Sequence, residues 1–230
     1  MRAREGATPL PESANLEHLP PMSRPILAFL CALLLSVASA SMPARADDAA
    51  PAMALVKSTA TEVIDRLHAD PSANSANPQR LYSIAEEVVL PHFDFERMSQ
   101  RVLGKHWRDA SPAQRERFVG EFKTLLVRTY ATAVSDYRDA QLSFQPARAL
   151  GTDIWRVRSN VDRGNGAPLL QVDYDVYRNA EAWKVFDVAI NGVSLVVSYR
   201  SGFNTDIAKL GMDGLIDQIA QHNVQKASGT

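Results

Sequence analysis

The sequence predicts an α+β domain in which helices and strands occupy separate stretches of the chain. Up to about Asp139 the apolar residues recur at three- and four-residue steps, which is the period of helical faces. Between 141 and 190 they alternate with polar residues in short runs joined by turns, which is typical of an antiparallel meander. After Asn191 the helical spacing returns. The predicted order is therefore helices, then a sheet, then helices.

Composition fits a domain with an ordinary core and excludes some classes of function. The 230 residues are 46% apolar and 22% charged, with 25 Lys and Arg against 26 Asp and Glu. Such a near-neutral chain lacks the basic excess on which binding to a nucleic-acid backbone depends, so no nucleic acid is expected as a partner. The single cysteine cannot form an internal disulfide, and no Cys/His cluster has the spacing of a structural zinc site.

Residues 1–46 are predicted to be a secretory signal peptide with an upstream extension that is not part of the protein. The apolar run 26–37 follows Arg24 and leads into Ala44-Arg45-Ala46, an A-x-A cleavage site. This run is shorter than the roughly 20 apolar residues of a membrane-spanning helix. Because the stretch before Met22 is acidic, unlike the basic start of a signal, translation is expected to begin at Met22.

The remaining chain is expected to hold a disordered leader at 47–53, a single domain at 54–225 and a disordered tail at 226–230. The clearest helix start is Ser111-Pro112-Ala113-Gln114, with an N-cap serine, proline at the first helical position and a capping-box glutamine. That helix should reach about Tyr137. The other helices are predicted at 54–67, 78–90, in two short pieces broken near Gly104, from Leu195 to Ile207, and at 212–222.

Four strands are predicted, at 141–149, 154–161, 170–176 and 183–190. The Gly164-Asn165-Gly166 sequence lacks the Lys-Ser/Thr of a phosphate-binding loop and indicates a hairpin turn. The stretch from Val193 to Tyr199 could alternatively extend the sheet as a further strand.

Two groups of polar residues are candidates for chemistry. His92, Asp94 and Glu96 resemble a metal-ligand cluster, but on a helix position 94 points away from the other two, so a helix boundary with solvated charges is the favoured interpretation. Asp173 and Asp175 share a strand face and could form an acid/base pair of the glycosidase kind. Their neighbour Gln171 favours a water-facing side of the sheet instead.

The apolar stripes could close on one another as a dry core or leave a cavity for an apolar ligand. Periodicity does not separate these two possibilities, and the residues by themselves favour the dry core.

A series of short motifs resembles the MlaC family, the periplasmic phospholipid-binding proteins of the Mla lipid-asymmetry pathway, also called toluene-tolerance auxiliary proteins. The resemblance spans roughly 63–219 in the expected order. The motifs are LPHFDFERM at 90–98, VLGKHW at 102–107, SPAQRERF at 111–118, FKTLL at 122–126, TYA at 129–131, NGVSL at 191–195, YRSGF at 199–203 and GMDGLI at 211–216.

The resemblance implies a helical layer packed on a twisted antiparallel sheet, similar to the NTF2-like cone, with phospholipid acyl chains in an apolar cavity between the layers. It implies a periplasmic monomer that carries phospholipid as cargo, without a cofactor or catalytic residue. Its expected partners are an outer-membrane lipoprotein–porin complex and an inner-membrane ABC transporter with an MCE-domain subunit. Maintenance of outer-membrane lipid asymmetry would be its role.

On this hypothesis the sheet face that carries Leu170 would meet the long helix around the acyl tails, and the corner after Asn191 would form the mouth. Two alternatives stay open: a small periplasmic hydrolase or isomerase that uses His92 or the pair Asp173 and Asp175, and an interaction module with a dry core. The expected lipid-binding residues are Val88, Leu103, Phe118, Phe122, Leu125, Tyr130, Trp155, Val157, Val172, Tyr174, Val176, Val188, Val193, Leu195, Tyr199 and Phe203.

Overall fold

The computed structural model describes residues 46–164, 166–180 and 182–227. The predicted signal peptide lies outside them up to residue 45, as do Asn165 of the predicted turn and residues 228–230 of the predicted tail. Six helices and five strands form the described part of the chain, which confirms the α+β class.

The helices follow the predicted order, with short irregular turns between them. A π-helical turn, Ala85–Val89, and a 3₁₀ turn, Leu90–His92, continue the second helix, and another 3₁₀ turn, Ser135–Tyr137, follows the fifth. The sixth helix contains one non-helical residue, Gly211, at φ 74° and ψ 178°, so the two predicted C-terminal helices meet there. The helices are α1 Ala46–Ala69, α2 Pro78–Ile84, α3 Phe95–Leu103, α4 His106–Asp109, α5 Pro112–Val134 and α6 Leu195–Ala227.

The start of α5 has the predicted capping box. Ser111 Oγ accepts from the backbone N–H of Gln114 at 3.2 Å, and the Gln114 side chain accepts from the Ser111 N–H at 3.0 Å. Gly104 breaks the chain between α3 and α4 as expected, at φ 57°. A Cβ atom there would lie 2.9 Å from the guanidinium of Arg200, so a larger residue would be both strained and crowded.

The first helix begins earlier than the sequence predicts. Residues 47–53, expected to be a disordered leader, lie within α1, and Ala52 is fully buried against the sheet. Alanine is the best helix former, and burial of Ala52 and Val56 adds the tertiary packing that an isolated leader would lack. At the other end, Lys226 of the expected tail still belongs to α6.

The strands form one antiparallel sheet in the order β1-β2-β3-β4-β5, which confirms the predicted meander. The last strand has only two residues, so the alternative of a strand reaching Tyr199 gives way to helix from Leu195. The strands are β1 Gln141–Gly151, β2 Ile154–Asp162, β3 Leu170–Arg178, β4 Trp183–Ile190 and β5 Val193–Ser194.

Strand register defines an inner face of the sheet. Val157 pairs with Tyr174, and Tyr174 with Val188, so these three side chains point the same way. We call the inner-face apolar cluster the sheet cluster; its buried members are Ala52, Val56, Val157, Val161, Val172, Val176, Val185 and Val188.

A second apolar cluster, the helical core, lies among α3, α5 and α6. Phe186 of β4 belongs to it. Asp175 pairs with Asp187 and the next residue, Val176, pairs with Val185, so Phe186 is an extra residue of β4 without a partner on β3. Its buried members are Met98, Val102, Leu103, Phe118, Phe122, Leu125, Leu126, Phe186, Val196, Phe203, Leu215, Ile216 and Ile219.

Candidate functional site: an apolar cavity under the first helix

An apolar cavity of about 360 Å³ separates α1 from the inner face of the sheet. This volume falls within the range of roughly 300–1,000 Å³ that is typical of pockets for small ligands. One wall is α1, the opposite wall is the sheet, and the end of α5 and the turn before α3 close the sides. The lining residues are Leu55, Val56, Thr59, Ala60, Val63, Ile64, Val89, His92, Phe93, Tyr130, Ala133, Val134, Tyr137, Leu142, Val161, Leu170, Val172, Tyr174, Val185 and Ile190.

Uncharged side chains dominate this wall. Among the described residues that line the cavity there is no Asp, Glu, Lys or Arg, and His92 is the single imidazole. Burial raises the pKa of Tyr174, so its phenol stays protonated on the wall. Tyr199 lies outside the cavity beside the wall residue Tyr130; burial, together with Tyr130, raises the pKa of Tyr199 to about 12, so this neighbour of the wall is neutral as well. Such a chamber favours hydrocarbon over charged groups.

Three of the sixteen expected lipid-binding residues line the cavity, namely Tyr130, Val172 and Tyr174. They come from the C-terminal part of α5 and the middle of β3, so the structure does bring the long helix and the sheet to one chamber. Leu170, placed on the same sheet face by the sequence, also lines it.

The other thirteen expected residues do not line the cavity, because each already packs elsewhere or faces solvent. Val88 belongs to a small cluster with Leu67 and Leu81, and Val193 is 61% exposed. Val157, Val176 and Val188 lie in the sheet cluster, with Trp155 and Leu195 against it. Leu103, Phe118, Phe122, Leu125 and Phe203 are buried in the helical core, with Tyr199 packed against it.

The wall contributed by α1 is what the sequence reasoning missed. Six residues of α1 line the cavity, and the stripe that includes Ala60, Val63 and Ile64 had been identified as a helical face. Apolar periodicity does not tie that face to a cavity in preference to a core. The one available signal is side-chain size, because threonine, alanine and valine at 59, 60 and 63 are too short to fill the space opposite.

Asp94, one of the polar candidates, makes structural contacts, whereas His92 lines the cavity. Asp94 caps α3 by accepting from the Arg97 N–H at 2.8 Å, and it also accepts from the Tyr177 hydroxyl. Nowhere in the described ranges do three or more His, Cys, Asp or Glu residues form a group able to hold a metal ion.

The sequence predicts a water-facing side for Asp173 and Asp175, but both residues are buried, at 3% and 8% exposed. Each carboxylate accepts two hydrogen bonds from an arginine of β2, Asp173 from Arg158 at 2.6 and 2.8 Å and Asp175 from Arg156 at 2.6 and 2.9 Å. Register explains the pairing, because each arginine lies directly opposite its aspartate.

None of the helices in the described part of the chain is both long enough and apolar enough to span a bilayer.

A sheet and helices that hold open an uncharged chamber define a class of protein that binds a hydrophobic small molecule in its interior. Within that class, the chain belongs to the MlaC protein family, which matches residues 57–221.

Named relatives agree with this assignment. A Haemophilus influenzae protein named intermembrane phospholipid transport system binding protein MlaC is 29% identical over 167 residues, which are 70% of this chain and 78% of the relative. The toluene tolerance protein ttg2D of Pseudomonas putida is 28% identical over 160 residues, 69% of this chain and 74% of the relative.

A solved structure shares the fold. It is a phospholipid-binding protein from Ralstonia solanacearum, determined in complex with a phospholipid at 1.53 Å. The two chains are 32% identical with a TM-score of 0.70, and the match covers 76% of this chain and 98% of the other.

Proposed function

We propose that this protein is a periplasmic phospholipid carrier whose cargo inserts its acyl chains into the cavity under α1. The observation that carries the proposal is the cavity itself, apolar and free of charged side chains among its described lining residues. Its relatives support the choice of cargo, since one is named as a phospholipid transport component and another was solved with a phospholipid bound.

The energetics of hydrocarbon burial fit a carrier. Removing hydrocarbon from water is worth about 0.8 kcal/mol per CH₂, so every ten or so methylenes that enter the cavity amount to about 8 kcal/mol. Release into water is therefore negligible. Exchange with a bilayer or with another apolar site conserves most of that burial, so transfer is close to thermoneutral once a lipid acceptor is in contact.

The finer part of the proposal concerns the route. Residues 1–46 would direct export and then be cleaved off. The carrier would move lipid between an outer-membrane lipoprotein–porin complex and an inner-membrane ABC transporter with an MCE-domain subunit, and would thereby maintain lipid asymmetry. N-terminal sequencing of the exported protein tests the cleavage. Transfer of labelled phospholipid to vesicles that carry the transporter, compared with bare vesicles, tests the partner; equal rates would contradict it.

Native mass spectrometry of protein purified without detergent tests the cargo. We expect the wild-type protein to carry phospholipid. Ala60→Phe fills the cavity from the α1 wall and should abolish the bound mass, whereas Ala54→Phe makes the same change on the exposed side of α1 and should leave it intact.

A wild-type protein without lipid would contradict the proposal, as would an Ala60→Phe variant that retains a full complement of lipid. Cooperative thermal unfolding of both variants is the control for folding.

A further inference from the structure

The wall of the cavity is more accessible near the end of α5 than elsewhere. Ala133 is exposed, whereas each of the other described lining residues is buried or half-buried. Tyr137, which also lines the cavity, follows Ala133 by about one turn. On the sheet, the paired residues Val161 and Leu170 line the same end, where β2 ends and β3 begins. A cargo whose hydrocarbon fills the cavity can place its polar end here.

An arginine stands where this apolar wall ends. Side chains alternate between the two faces along a strand, so Val157 and Val161 both point to the inner face from β2. Arg163, the residue directly after β2, continues that alternation on the same side. Its guanidinium carbon lies 5.4 Å from the ring centroid of Tyr137, which places a cation against a residue of the cavity wall.

Arg163 has no acidic partner in the part of the chain that the structure describes. Arg156 and Arg158 of β2, in contrast, each pair with an aspartate on the outer face of the sheet. The adjacent Asp162 points away from the inner face, and its carboxylate accepts from the Gly164 N–H at 2.8 Å. A half-buried guanidinium that is held on an aromatic ring without a counter-ion is pre-organised to bind an anion.

We infer that Arg163 binds the phosphate of the cargo lipid at this end of the cavity and makes the protein prefer lipids that carry a phosphate. A guanidinium matches the geometry of phosphate oxygens and can donate two hydrogen bonds to them. Because the acyl chains are held in the cavity, the phosphate is kept close to Arg163, so one arginine is sufficient for a lipid although it would not retain free phosphate. This inference rests on the proposed function and deepens it, since it names a specificity-determining residue and the group that it recognises.

Competitive loading measures this preference. Delipidated protein is offered equal amounts of a phosphatidylcholine and a monogalactosyl diacylglycerol with the same acyl chains, and native mass spectrometry gives the bound ratio. Both headgroups are polar and have no net charge, but only the first contains a phosphate. We expect the wild type to prefer the phosphatidylcholine. Arg163→Gln should lower that preference by about 3- to 10-fold, which lies between the effect of an exposed ion pair and that of a buried charged hydrogen bond. Arg163→Lys keeps the charge and should recover part of the preference.

The matched control is Arg148→Gln, the same substitution at an exposed position of β1 opposite Arg156, which should keep the wild-type ratio. Arg163→Met is a second uncharged variant of similar length if Arg163→Gln does not unfold cooperatively. Calorimetric titration of the delipidated wild type with inorganic phosphate separates the two sources of phosphate, and we expect no saturable binding.

Two outcomes overturn the inference while leaving the carrier intact: a wild type that loads both lipids equally, or uncharged variants at Arg163 that keep the wild-type ratio. Either result would leave Arg163 with its contact to Tyr137 alone. Saturable binding of inorganic phosphate that Arg163→Gln removes, together with an unchanged lipid ratio, would assign the arginine to free phosphate. A wild type that loads neither lipid would instead contradict the proposed function, so the two failures are distinguishable.

Discussion

The helical core and the cavity share one helix, α5, and they differ in the size of the side chains that α5 meets. Near its start, Phe118 and Phe122 contact Phe203, and Phe122 also contacts Tyr199, with ring centroids 5.4–6.0 Å apart. Near its end, Ala133 and the residues beside it face α1 and the sheet across open space.

Side-chain volume, more than polarity, separates the two regions. Both are apolar, but eleven of the thirteen buried core residues are phenylalanine, leucine, methionine or isoleucine, whereas nine of the twenty described lining residues of the cavity are valine or alanine. Close-packed interiors leave few voids larger than a water molecule, so a chamber of about 360 Å³ persists only where short side chains are held apart by a frame. The helical core and the sheet supply that frame.

The largest expected change in the free energy of unfolding comes from a substitution in the helical core. Phe122→Ala removes a fully buried ring that contacts three other aromatic residues and should lower the free energy of unfolding by about 3–5 kcal/mol. Chemical denaturation measures the loss. A reduction below about 1 kcal/mol would mean that the core is loosely packed and that the contrast with the cavity is wrong.

A matched pair of valines sharpens the comparison with a smaller effect. Val102 is 0% exposed in the helical core, and Val172 is 8% exposed on the cavity wall. Val102→Ala should lower the free energy of unfolding by about 2–3 kcal/mol, because two methyl groups are lost and a new void is created. Val172→Ala only enlarges an existing void and should lower it by about 1 kcal/mol or less.

Denaturant titration of both variants without lipid checks this difference. Equal losses would indicate that the space beside Val172 is closed in solution.

The sequence was sufficient for the parts of the fold that depend on local signals. Ser111 and Gln114 predict the start of α5 because capping is decided within four residues, and the period-2 pattern predicts each long strand because alternation is a property of the strand itself. The position of the cavity is not local. In sequence, the apolar stripe on α1 looks like the stripe on α5. Only the residues that face each stripe in the fold decide whether the space beside it is a packed core or a cavity.

Tyr130 shows the same limit within a single helix. It lies on the stripe that carries Phe118 and Phe122, three turns further along, where the partner of α5 changes from α6 to α1 and the sheet. Tyr130 therefore lines the cavity, whereas Phe118 and Phe122 of the same stripe are buried in the helical core. The helical structure of 47–53 was not predicted for a related reason, because this part of α1 packs against strands that come about a hundred residues later in the chain.

The smallest expected effect concerns Asp187 on β4, which ties the sheet to the start of α6. Its carboxylate accepts from the Ser194 hydroxyl at 2.6 Å and from the Val196 N–H at 3.2 Å, and Val196 belongs to the helical core. Burial raises the pKa of Asp187, and the nearby Asp175 adds to the rise; Arg156, which pairs with Asp175, is the cation of this group.

A pKa raised in the folded state means that the native protein binds the proton more tightly than the unfolded chain does. The stabilisation from that proton is complete below the ordinary aspartate pKa, near 3.8, and is lost as pH rises through the higher folded-state value. The wild-type protein should therefore lose some stability as pH rises just above the ordinary aspartate range, and Asp187→Asn should not show this loss. Unfolding midpoints of the wild type and the variant, compared across that range, measure the difference. Because Asp187 touches the core side and not the cavity, the same variant should keep its bound lipid. Loss of lipid in Asp187→Asn would show that the two regions are coupled through β4, and the comparison drawn between them would then hold for packing but not for function.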